Sequence, residues 1–80
     1  MDDAEERTRS VIAQAFDRYR QYHETLAPDE LERVEMLGRL GREVASELGG
    51  EVSSAAVPQR DGLVRVCLWY AAAAPLPEPA

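Results

Sequence analysis

The stretch Leu63 to Tyr70, LVRVCLWY, is greasy on both sides when drawn as a strand. Side chains alternate faces along a strand. Val64, Val66, Leu68 and Tyr70 fall on one face, and Leu63, Arg65, Cys67 and Trp69 on the other. A chain of 80 residues has little material with which to cover both. That shortage constrains every architecture open to it.

The preceding residues supply the cover for one face. From Asp2 or Asp3 to about Glu24 the pattern is helical. Asp2 and Asp3 stand where N-caps belong, with Glu5 and Glu6 three residues on, as in a capping box. Ile12, Ala15, Tyr19, Tyr22 and Leu26 alternate steps of three and four and form one stripe. Pro28 ends this helix and opens the next, since its missing N–H is harmless at the first helical position. The second helix carries Leu31, Val34, Leu37, Leu40, Val44, Ala45 and Leu48 on its apolar side, and Gly49-Gly50 stops it. Asp29–Arg33, Glu35–Arg39 and Arg39–Glu43 have the spacing of ion pairs along its wet side. A connection this short implies an antiparallel helical hairpin.

After Gly50 the period changes to two. A weak strand over 51–57 and a strong one over 63–71 flank Pro58-Gln59-Arg60-Asp61-Gly62, which is turn chemistry. The expected fold is α+β. It is a single small domain over 1–74, with helices at about 3–25 and 28–48, an antiparallel helical hairpin followed by a β-hairpin. Pro75, Pro77 and Pro79 make 75–80 a flexible tail. The expected core is Val11, Ile12, Phe16, Tyr19, Leu31, Val34, Leu37, Val44, Leu48, Val64, Val66 and Leu68.

In this arrangement the face with Trp69 has no cover, and a lone hairpin has open edges. A partner is the economical cover. Trp, Tyr and Arg dominate interface energies, and two-fold dimers are the commonest oligomers. Arg65, Trp69, Tyr70 and Cys67 are therefore the candidate contact residues, for a homodimer or for docking on a larger protein.

Few other chemistries fit. Cys67 and His23 are the only Cys–His pair, and a buried free Cys behaves as a small hydrophobe. The Glu-x-x-His motif of bundle metal sites fails, because Arg20 stands three residues before His23. No metal, no cofactor and no catalytic residue is expected. Fifteen acids against nine arginines, with no lysine, give a charge of -6. The balance disfavours nucleic acid and anionic membranes, and the absence of lysine fits a GC-rich bacterial or phage genome. No signal segment opens the chain and no apolar run approaches membrane length, so the expected setting is the reducing cytoplasm.

Two alternatives are carried. Ala45-x-x-x-Gly49 within REVASELGG has helix-turn-helix spacing, and the hairpin after it would serve as a wing. That reading needs a recognition helix at Val52–Val57. The other alternative is a small-molecule pocket, or an accessory enzyme subunit, near Tyr19, Tyr22, Gly38 and Gly41.

Overall fold

A computed structural model describes residues 3–72. The elements run α1 (Asp3–Tyr19), β1 (Gln21–Leu26), α2 (Leu31–Glu47), β2 (Gly50–Pro58) and β3 (Val64–Ala72). The fold is α+β, with a three-stranded antiparallel sheet in the order β1-β3-β2. Residues 75–80, read as a tail, lie outside the described residues.

The first helix stops earlier than its stripe suggests. Arg20 adopts φ 62, and its N–H donates to the Phe16 carbonyl at 3.2 Å. This is a left-handed helix end without glycine. Beyond it Gln21–Leu26 is a strand, so the two helices are joined by β1 and form no helical hairpin. The ion pairs show that they run in the same sense. Glu5 meets Arg39, and four residues on Arg9 meets Glu43 and Glu47.

The second helix also begins later than Pro28. Residues 27–30 close a turn in which Glu30 donates its N–H to the Ala27 carbonyl, while its carboxylate accepts the Ala27 N–H at 2.9 Å. At the far end Gly49 takes φ 79 and donates to the Ser46 carbonyl. Gly50 follows at a crowded point. A Cβ there would lie 2.4 Å from the Ala71 carbonyl oxygen and 2.6 Å from the Tyr70 ring.

β3 is the middle strand, paired along its length with β1 on one side and β2 on the other. α1 lies against β1, and α2 against β2 and β3. Ile12, Phe16, Leu37, Leu40, Val44 and Leu68 are fully buried between the layers. Gly41 is a packing notch, since a Cβ there would come within 3.1 Å of Leu68 Cδ1. Four residues expected in the core are exposed: Val11, Tyr19, Leu31 and Leu48. Tyr19 belongs to the last turn of a helix that ends with it, and Leu31 to the first turn of one that begins with it. Leu26 and Tyr70 take buried places instead.

The two faces of β3 therefore differ in energy. Leu68→Ala is expected to cost about 2–5 kcal/mol, a large part of the ~5–15 kcal/mol that holds a typical domain. Urea unfolding followed by circular dichroism checks this. A loss below about 1 kcal/mol contradicts a Leu68 packed between α2 and the sheet.

Candidate functional site

Residues directly opposite one another in the sheet share a face. The register thus assembles the side away from the helices. Gln21, His23 and Thr25 of β1 flank Trp69, Cys67 and Arg65 of β3, and Ser53, Ala55 and Val57 of β2 complete the other side. Neither helix covers this surface. Trp69 is 42% exposed and Val57 44% exposed. Arg65 lies between Thr25 and Val57 and has no ion pair among the described residues.

Trp69 and Arg65 thus stand on the open face. Cys67 shares it but is buried beneath its neighbours, only 6% exposed. Its Sγ lies 3.8 Å from His23 Nδ1, and His23 Nε2 lies 3.1 Å from Gln21 Oε1. The line Gln21–His23–Cys67 resembles a nucleophile, a base and an orienter. A stabilising pair of N–H groups aimed at a reacting carbonyl is what such a site also requires. The N–H groups of β3 are instead committed to its two neighbouring strands.

Tyr70 is a correction to the expected contact set. It is 7% exposed and faces the helices. Its ring stacks on Phe16 at 5.4 Å, and its hydroxyl donates to the Leu48 carbonyl at 3.1 Å. The Arg20 guanidinium lies over the same ring at 5.6 Å. Its N–H reaches the Arg20 carbonyl at 2.8 Å. Tyr70 thus binds both helix ends to the sheet.

Nor does the structure gather the expected pocket. Tyr19 is exposed at the end of α1, and Tyr22 sits on the β1 edge. Gly41 is filled by Leu68, while Gly38 lines a groove with Val34, Ser54, Ala55, Ala56 and Val66. That groove has about 150 Å³, and Gly38 also borders a wider, open hollow of about 620 Å³ with Glu32, Glu35, Arg39 and Arg42; neither includes Tyr19, Tyr22 or Gly41. Val52–Val57 lies in β2, so the recognition helix that a winged-helix reading needs is not there. No helix among the described residues is long and apolar enough to cross a membrane.

The β1 flank of the face is held by a half-buried polar network. Arg33 donates to both Glu24 oxygens, Nε at 2.7 Å and Nη2 at 2.9 Å, and Nη1 reaches Thr8 Oγ1 at 3.3 Å. Tyr22 donates its hydroxyl to Glu24 at 2.6 Å. α1, β1 and α2 meet in these contacts. Hydrogen bonding from Arg33 holds the Glu24 carboxyl below its ordinary value, against the opposing effect of burial. Burial, aided by the Glu24 carboxylate, pushes the Tyr22 hydroxyl up to about 12.

The helical spacing of Tyr19, Tyr22 and Leu26 conceals β1, and with it the place of His23 and Gln21 on the face. A signal was present. In QYHETL the residues Tyr22, Glu24 and Leu26 alternate with Gln21, His23 and Thr25, which is the strand period. The steps from Tyr19 to Tyr22 to Leu26 matched a helix equally well.

In comparisons with known proteins the chain matches no family model, no curated protein and no solved structure.

Because the folded carboxyl of Glu24 titrates below its unfolded value, its contribution is complete above the ordinary carboxylate range. It is lost as pH falls through the folded value. Urea midpoints taken from pH 7 down to pH 3 are expected to decline less steeply in Glu24→Gln than in the parent chain. Parallel declines would show that Glu24 is not held by Arg33 in solution.

Proposed function

We propose that this chain is a non-catalytic protein-interaction or regulatory module, which self-associates or docks on a larger protein through its C-terminal strand. One observation carries the reading. β3 turns Trp69, Arg65 and the buried Cys67 toward a sheet face that neither helix shields. Leu68 and Tyr70, on the other side of the same strand, already satisfy the core.

The physical logic favours contact over chemistry. Trp69 is a large aromatic on the middle strand, between Gln21 and Ser53. Burying it against a partner removes apolar area from water at low cost in side-chain entropy. Arg65 adds a cation with no ion pair among the described residues, suited to a carboxylate across the interface. Ser53, Ala55 and Thr25 keep the surroundings small, so that a flat surface meets the partner.

Trp69→Ser is the direct test. The substituted chain is expected to stay folded, its melting temperature within about 5 °C of the parent, since a loss near 1 kcal/mol shifts a domain of this size by that much. Binding is expected to fall at least about tenfold, as for an aromatic hot spot. The readout is titration of a partner first captured by the parent chain and then purified. Equal binding by both chains would remove the open face from the account.

A further inference from the structure

The outer edge of β2 is a second surface, separate from the open face. In an antiparallel pair, residues that exchange hydrogen bonds alternate with residues whose N–H and C=O point away. Gln59 donates to the Leu63 carbonyl at 2.7 Å, and the register continues unbroken from Pro58↔Val64 to Gly50↔Ala72. Odd-numbered residues of β2 therefore turn their backbone groups toward β3. Val52, Ser54 and Ala56 turn theirs outward, and Pro58 turns out a carbonyl with no N–H. β2 is an edge strand. From Val52 to Val57 it holds no charge, no proline and no bulge. These are the devices that normally keep an edge from pairing.

α2 bears on this edge. At 3.6 residues per turn, Arg39, Glu43 and Glu47 form the flank that pairs with α1. Leu31, Gly38 and Arg42 turn toward the free edge of β2, and Glu35 stands on the exposed crest between them and Arg39. Leu31 is 67% exposed. Glu35 and Arg42 have no ion pair among the described residues. Gly38 leaves a notch where a Cβ would touch nothing but the Arg42 guanidinium. Gly38 also lines one groove with Ser54, Ala55 and Ala56, so the notch stands over the middle of β2.

We infer that a second copy of this chain occupies the edge, β2 against β2, about a two-fold axis normal to the sheet at Ser54. Such an axis keeps both helix layers on one side and lets only residues of like parity face each other. With Ser54 opposite its own copy, Val52 faces the partner's Ala56, and each outward N–H from Val52 to Ala56 finds a carbonyl. An axis at Ala55 instead sets Val52 against the partner's Pro58, which has no N–H to give. The Ser54 axis passes beside Gly38. It lays α2 antiparallel to its copy at the notch and brings Glu35 to the partner's Arg42, and Arg42 to the partner's Glu35. Backbone parity admits this axis, and the groove that joins Gly38 to Ser54, together with the Glu35 and Arg42 charges of α2, selects it. The product is a sheet of six strands, twice the three of one chain, with both Trp69 side chains on the side away from the helices.

Light scattering behind size exclusion tests this on the full chain over a wide concentration range. The parent is expected at twice 8.9 kDa. Ser54→Pro removes an outward N–H and leaves every β2–β3 hydrogen bond in place, so a folded monomer is expected. Glu35→Arg is expected to raise the dimer dissociation constant about tenfold or more, by placing like charges across the axis. The double substitution Glu35→Arg with Arg42→Glu is expected to restore it, which a general loss of folding would not allow. Trp69→Ser is expected to remain dimeric. A parent chain monomeric into the millimolar range overturns the inference and leaves docking on a different protein through the open face intact. So does failure of the charge swap to restore the dimer. A dimer lost in Trp69→Ser but kept in Ser54→Pro overturns it in favour of pairing through the face.

Discussion

β3 gives its backbone hydrogen bonds to two neighbours, and most of the architecture depends on that commitment. A strand with one neighbour needs one covered face and one protected edge. A strand with two has no edge at all, and its flanking strands inherit the exposure. The apolar character of LVRVCLWY on both faces follows from this position. Val66, Leu68 and Tyr70 fill the space under the helices, while Cys67 is shielded on the other side by His23, Ala55 and their neighbours. Trp69, at 42% exposed, exceeds what the sheet itself can cover.

Placing β1 beside β3 requires that the chain turn sharply after α1, and Tyr70 anchors the turn. Its ring rests on Phe16 and beneath Arg20, its N–H bonds the Arg20 carbonyl, and its hydroxyl bonds Leu48 at the end of α2. One buried tyrosine thus contacts the ends of both helices and the start of β1. A left-handed conformation costs a non-glycine residue of order 1–3 kcal/mol. At Arg20 that cost is offset by the hydrogen bond and the stacking that the conformation brings together. The Tyr22–Glu24–Arg33 network then fixes β1 from the other side. The residues of the open face are therefore set by pairings far apart in sequence.

Much of this was legible in the residues, and the failures have identifiable causes. The α+β class, the turn at Pro58–Gly62 and the two-faced strand followed from period and turn chemistry. The helix boundary at Arg20 did not, because a left-handed end without glycine carries no local mark, and the stripe continued by coincidence through Tyr22 and Leu26. Losing β1 turned the middle strand into an apparent edge, and Tyr70 entered the contact set by residue type although alternation already placed it with Val64, Val66 and Leu68. Arg65 and Trp69 were placed on the uncovered side by alternation alone. The β2 edge is not legible in the residues, since which backbone groups point outward depends on the register with β3 and on nothing in the side chains.

Amide hydrogen exchange resolved residue by residue tests the central strand most directly. With β3 between two neighbours, successive amides from Arg65 to Trp69 exchange slowly without alternation, while those of Gln21, His23 and Thr25 on the β1 edge exchange faster than those of Tyr22, Glu24 and Leu26. Alternating protection within β3 itself would mean that one of its neighbours is absent, and the account of both faces would fall with it.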